Sequence, residues 1–251
     1  MRRNRAATRA PAAGPLFREY GRKMPRPPRP QFPGALYHVT SRGVRKADVF
    51  TDVRDRLRFQ QIFQNVVERH EWRCHTYCLM TNHFHLLVET PHGNISPGMQ
   101  RLNGIYAQWF NWRHGFEGHL FDRRFGSVLV EAHAHLLELT RYIVLNPVRA
   151  GLCGHPGEWR WSSYSALVGE RDRAAFLQTT WVLSLFSKEP KRARELYREF
   201  VASAPPRYFE RVLGSGTRTR PDQPDPPARR GRSSAARECS CRLGMTADPR
   251  R

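Results

Sequence analysis

Short β-prone runs and amphipathic segments follow one another along the chain as strand, helix, strand, strand, helix, strand. That order predicts an α+β fold of the ferredoxin-like type, a split βαβ (βαββαβ) sheet with both helices on one face. Three observations carry it: two segments with apolar residues at helical spacing, a hairpin pattern between them, and a short β-prone run after the second helix.

The first strand is LYHVTSRG, beginning near Ala35 and closed by Gly43. The first helix covers Asp52 to His70, where Leu57, Phe59, Ile62, Phe63, Val66 and Val67 recur at helical spacing. Acids at Asp52 and Asp55 suit its N-terminus. Trp72 to Met80 and Phe84 to Thr90 are strand-like runs joined by Thr81 and Asn82, a turn beside two histidines. Asn94 to Arg113 forms the second helix, with Met99, Leu102, Tyr106 and Trp109 on one face, and Phe125 to Val130 the fourth strand.

A further helix, His133 to Asn146, is stopped by Pro147 and falls outside the basic plan. A sheet covered on one face leaves the other for a substrate, and this helix is free to cross that face or its edge. Beyond Gly151 the chain holds WRWSSY and an amphipathic helix, Pro190 to Ala202, carrying Ala193, Leu196, Tyr197 and Phe200. One main domain is therefore expected over residues 31–169, with a helical extension over 170–213. Residues 1–30, rich in Pro and Arg, and the basic tail 214–251 have compositions that cannot bury enough apolar surface to fold alone. Met24 stands just ahead of the ordered pattern as a second candidate start, the alternative being a genuine basic arm.

The formal charge of +20 and pI near 11.0 call for a polyanionic partner, nucleic acid first and an anionic membrane second. The ends do not account for all of it, since residues 24–213 alone keep an excess of nine positive charges. Five cysteines at irregular positions and no signal-like apolar segment fit a reducing compartment, and no run is long and apolar enough for a membrane span. The expected location is the cytoplasm, in association with the nucleoid.

The chemistry gathers around His83-Phe84-His85. In a strand, alternate residues share a face, so both imidazoles point one way while Phe84, Leu86 and Val88 point the other. Two neighbouring imidazoles are half of a divalent metal site, although a His-x-His pair alone is a weak signal among eleven histidines. A zinc site built from Cys74, Cys78, His83 and His85 is the rival reading, weakened because both cysteines lie in the body of a strand rather than on a tight knuckle. Buried cysteines acting as small hydrophobes are the simpler assignment.

In RYIVLNP, helical spacing puts Tyr142 and Asn146 on one face. A phenol attacks a phosphodiester only if its proton is removed or its oxygen activated, and a metal on the phosphate would help by neutralising charge. The carboxamide oxygen of Asn146 is a candidate third ligand, although a residue before proline disfavours helical geometry. Tyr106 is a rival tyrosine, but its place on an apolar stripe reads as core.

Several separated blocks, YHVTSRG, YCLMTNHFHLLVETP, YAQWFNWRHGFEGHLFDRRFGSVLV and RYIVLNPVRAGL followed by WRWSSY, resemble REP-associated tyrosine transposases of the IS200-like, HUH-type superfamily, in the same order and at compatible spacings. The resemblance covers roughly Gly34 to Val168. It implies a single-tyrosine catalytic domain in which His83 and His85 hold Mg2+ or Mn2+, Tyr142 is the nucleophile, and Asn146 falls where relatives place a polar metal-assisting residue, often glutamine. Arg42, Arg123, Arg124 and Arg149 are the candidate DNA contacts. The implied partner is single-stranded hairpin DNA, the implied chemistry cleavage and rejoining through a 5′-phosphotyrosine, and the implied state a monomer or homodimer. The competing functions are a domesticated hairpin-binding protein without strand transfer and a zinc-stabilised RNA-binding module.

Charge at the two ends suits sequence-independent attraction to a phosphate backbone. Deleting residues 1–23 and 214–251 should weaken DNA binding and flatten its salt dependence while sparing the choice of hairpin, as titrations at several salt concentrations will report. Loss of hairpin discrimination would instead make the ends specificity elements.

Overall fold

The computed structural model describes residues 31–130 and 133–203, with the side chains of 133–135 excepted. The expected disordered ends, and residues 204–213 of the expected extension, lie outside the described residues. Four strands, β1 (Ala35–Arg42), β2 (Arg73–Leu79), β3 (His83–Thr90) and β4 (Gly126–Leu129), form one antiparallel sheet in the order β2-β3-β1-β4. Helix α1 (Val53–His70) carries the chain from β1 past β3 to β2, and α2 (Ile95–His114) carries it from β3 past β1 to β4. This is the ferredoxin-like α+β arrangement that the element order predicts.

Alternation along β3 divides the interior. Phe84, Leu86 and Val88 join Phe59, Ile62, Phe63 and Val66 of α1 and Met99, Leu102 and Tyr106 of α2 in the largest apolar core. Each large apolar side chain buried there contributes roughly 1.5–3 kcal/mol. Asp52 caps α1 by accepting from the Asp55 backbone N–H at 3.0 Å. Asp55 is itself fully buried, accepting from Thr51 and His114 and paired with Arg113, so the start of α1 is tied to the end of α2. Leu57, expected on the apolar stripe, is 52% exposed because its spacing from Phe59, Ile62 and Phe63 carries it around the helix, off the face they share.

The opposite face is crossed by α3 (His133–Arg149), which packs on β2 and β3. Pro147 does not stop this helix. It lies in the final turn, where its missing N–H forfeits a single bond, and the Ala150 N–H still donates to the Asn146 carbonyl at 2.9 Å. The helix ends instead at Gly151, whose φ of +68° is the left-handed conformation of a C-terminal cap. Where Thr40 of β1 pairs with Gly126 of β4, the described residues leave the same sheet face more open: Gly126 and Val128 are exposed and Thr40 half-buried.

Residues 151–203 close the remaining side of α3. Helices α4 (Tyr164–Leu167), α5 (Thr180–Ser184) and α6 (Pro190–Ala202) gather Tyr164, Leu167, Val182, Ala193, Tyr197 and Val201 around Val144. Arg141 anchors this contact, donating to the Phe200 carbonyl at 3.1 Å, lying 4.3 Å over the Phe200 ring and pairing with Glu138. The WRWSSY segment covers the outer edge of β2. Leu79 N–H donates to the Trp161 carbonyl at 2.9 Å and Ser163 N–H to the Tyr77 carbonyl at 3.0 Å, so this sheet edge is blunted rather than left as an open template.

Gly98 in α2 makes room for a side chain from the α1 to β2 connection: a Cβ there would stand 2.1 Å from Cζ2 of Trp72, a buried ring whose Nε1–H donates to Asn94 Oδ1 at 2.7 Å. Gly98→Ala should therefore destabilise the domain by roughly 1–3 kcal/mol, measured as a lower urea midpoint at unchanged slope.

Candidate functional site

The register of the sheet assembles the site from two strands and one helix. On β1, Thr40 stands opposite His85 and Arg42 opposite His83, which places His38, Thr40 and Arg42 on the same face as the histidine pair. That face meets α3. The Tyr142 ring lies edge-on to His85 at a centroid separation of 5.6 Å and to His38 at 6.2 Å, while the two rings of the pair, His83 and His85, are 5.0 Å apart. All four side chains are buried, Tyr142 being 7% exposed.

Burial keeps the imidazoles neutral. It pushes His38 down to about 4 and, with the charge of Arg42, His83 down to about 3, and it holds His85 well below the ordinary range with help from its histidine neighbours and Arg42. His38 Nε2 and His85 Nδ1 share a hydrogen bond of 2.9 Å, and His83 Nδ1 lies 2.6 Å from Asn82 Oδ1. The remaining nitrogens, His83 Nε2 and His85 Nε2, are buried with no hydrogen-bond partner.

Two orphaned nitrogens on adjacent neutral imidazoles fit a divalent cation, for a buried lone pair without a partner is costly unless something coordinates it. Among the described residues, no three His, Cys, Asp or Glu side chains converge as a metal-binding group, so the histidines supply two protein donors of this kind. Asn146 lies on α3 as expected, with its side-chain NH2 donating to the Tyr142 carbonyl at 2.9 Å, which leaves Oδ1 as its acceptor.

The rival cysteine reading does not survive the backbone. A bulge between Cys74 and Thr76 breaks the alternation of β2. Cys74 thus enters the α1 and α2 core while Cys78 faces α3, and the two thiols lie on opposite sides of the sheet. Burial raises both thiols far above the ordinary range, as suits small hydrophobes.

The candidate arginines fall at two places. Arg42 is half-buried at the end of β1 opposite His83, and its carbonyl accepts from Asp122 N–H at 3.0 Å, which brings the exposed Arg123 and Arg124 to the same end of the sheet. Arg149 is exposed on the last turn of α3 and its guanidinium lies 5.3 Å over the Tyr142 ring, so its charge sits at the tyrosine itself. The residues that sequence reasoning missed are His38 and Asn82. Alternation within YHVTSR already put His38 opposite the core-facing Tyr37 and Val39, but the contact with His85 needs the β1 to β3 register, which no local pattern supplies.

A ferredoxin-like domain carrying a histidine pair on its sheet, against a helix-borne tyrosine, is the class that this geometry defines. Residues 32–146 match the family model of the IS200-like transposases. Among solved structures, a REP-associated tyrosine transposase bound to a REP hairpin is similar at 17% identity and a TM-score of 0.50, over 58% of this chain and 86% of that one. A candidate transposase from Deinococcus radiodurans R1 follows at 19% identity and a TM-score of 0.34, over 47% and 94% of the two chains. The tRNA(His) guanylyltransferase of Saccharomyces cerevisiae aligns at 10% identity and a TM-score of 0.36, over 69% and 82%. No curated protein matches the chain. No helix among the described residues is long and apolar enough to cross a membrane.

The rival tyrosine is placed elsewhere. Tyr106 is fully buried in the α1 and α2 core, its hydroxyl donating to the Val49 carbonyl at 2.5 Å, on the far side of the sheet from His83 and His85. Tyr106→Phe should lower stability by roughly 1–2 kcal/mol, leaving that carbonyl unsatisfied, as a lower thermal unfolding midpoint will report.

Proposed function

We propose that this protein cleaves and rejoins single-stranded hairpin DNA of the REP type, with Tyr142 as nucleophile and His83 and His85 as ligands of a divalent cation. The observation that carries the reading is the meeting of the Tyr142 ring with a histidine pair whose two Nε2 atoms are buried and unpartnered. The family match over residues 32–146 and the fold shared with a transposase that was captured on a REP hairpin support it.

In the proposed reaction the phenol oxygen of Tyr142 bonds to phosphorus, the bond from phosphorus to the 3′-oxygen breaks, and the phenolic proton is lost as the departing oxygen gains one. The products are a 5′-phosphotyrosyl protein and a free 3′-hydroxyl, and attack by another 3′-hydroxyl reverses the step. No nucleotide is consumed because the covalent bond conserves the energy of the one broken. A bound cation would supply charge neutralisation at the phosphate; the imidazole pair suits Mn2+ better than Mg2+, which prefers oxygen ligands. Arg149 would set a positive charge beside the tyrosine, and Arg42, Arg123 and Arg124 would hold backbone phosphates where the sheet is uncovered by α3. Asn146 is proposed as the further ligand through Oδ1.

A binding-only reading has two observations in its favour: Tyr142 is 7% exposed, and the Asn146 amide is engaged by the backbone of its own helix. Incubation of the full chain with labelled hairpin DNA from the flanks of its own gene, with Mn2+, separates the two readings. Wild type should yield a covalent protein–DNA band on denaturing gels. Tyr142→Phe, which removes one oxygen and keeps the ring, should keep the fold and hairpin affinity yet lose the band. His83→Ala and His85→Ala should lose cleavage while retaining most of the hairpin affinity. No band from wild type on any native hairpin would favour the binding-only reading.

A further inference from the structure

Each histidine of the pair has its Nδ1 occupied by a different partner on the sheet face, and neither partner belongs to the expected motif. For His83 the partner is Asn82 Oδ1 at 2.6 Å, and the orientation of that carboxamide is fixed because its NH2 donates to the Lys46 carbonyl at 3.3 Å. An amide oxygen only accepts, so His83 carries its proton on Nδ1 and a lone pair on Nε2. For His85 the partner is His38 Nε2 at 2.9 Å, the two rings stacked with 12° between their planes. One of these nitrogens donates and the other accepts. If His38 donated, His85 would carry its proton on Nε2, a buried N–H with nothing to receive it. If His85 donates from Nδ1, its Nε2 is left with a lone pair, as that of His83 is.

We propose that His38 and Asn82 are positioning residues that hold the protons of His85 and His83 on Nδ1 and thereby offer both Nε2 lone pairs to one divalent cation. The inference rests on the metal reading proposed above and adds two residues to it. Metal-bound histidines are oriented by the group that accepts from their other nitrogen, and losing that group weakens affinity without touching a ligand. The two supports come from separate parts of the chain. His38 is buried on the central strand β1, while Asn82 sits in the β2 to β3 turn and clasps the Val44–Lys46 turn, where Arg45 and Lys46 adopt φ of +54° and +63°. Two consecutive non-glycine residues in the left-handed region persist only where their surroundings impose them. The Asn82 bond to the Lys46 carbonyl is part of that constraint.

Two measurements on the full chain test this. In metal-free wild type labelled with 15N-histidine, side-chain nitrogen shifts should assign His83 and His85 to the Nδ1–H tautomer. Calorimetric Mn2+ titration should then show affinity falling roughly 10- to 100-fold in His38→Leu and in Asn82→Ala. His38→Gln, whose amide oxygen reaches the position of the lost Nε2, should recover most of it. Thermal unfolding of each variant separates positioning from collapse, and the tautomer measurement needs no variant at all. An Nε2–H tautomer at either histidine, or unchanged Mn2+ affinity in folded His38→Leu, would overturn the proposal. Nδ1–H tautomers in a wild type that binds no Mn2+ would instead overturn the metal reading beneath it.

Discussion

The alternation of side chains along β3 is the constraint on which the rest of the molecule depends. Because successive residues of an extended strand point to opposite faces, Phe84, Leu86 and Val88 can be committed to the α1 and α2 core only if His83, His85 and Leu87 go the other way. The hydrophobic drive that folds one face therefore aims the imidazoles on the other. A slip of one residue would bury two imidazoles among phenylalanines and turn Phe84 toward α3. The same packing that stabilises the domain thus specifies the site, with no separate device needed to orient it.

Where that alternation is broken, the consequence is equally specific. The bulge in β2 lets Cys74 and Cys78, four residues apart, serve different cores, and it dissolves the only cysteine pair in the sheet that could have competed for a metal. The β1 strand has no such break. Its regular pairing with β3 carries His38 beside His85 and sets Arg42 opposite His83, adding a hydrogen-bond partner to one imidazole and a positive charge near the other.

Helix α3 turns this face from a surface into an enclosure. It is clasped on its far side by α4, α5 and α6 through Val144 and Arg141, so residues that follow the family-matched segment help seat the tyrosine-bearing helix on the sheet. The enclosure removes water from three imidazoles and keeps them neutral, the form in which they can act as ligands. Toward β4 the face is more open among the described residues, and the exposed arginines Arg123 and Arg124 precede that strand.

The element order, the hairpin at Thr81 and Asn82, the shared face of His83 and His85, and the helical pairing of Tyr142 with Asn146 were all legible in the sequence, because each follows from a local period of two or 3.6 residues. The end of α3 was not, since the local rule for proline misses how little a lost N–H costs in a final turn. Nor were the seating of α3 across the face, the separation of the two cysteines, or the partnership of His38 with His85. Strand register, a bulge and the docking of a helix are settled by packing between segments far apart in the chain, here 47 residues in the case of the two histidines. The sequence by itself determined which side chains face which way within each element; only the tertiary structure decided which of them meet, because that depends on the best burial available to all the elements at once.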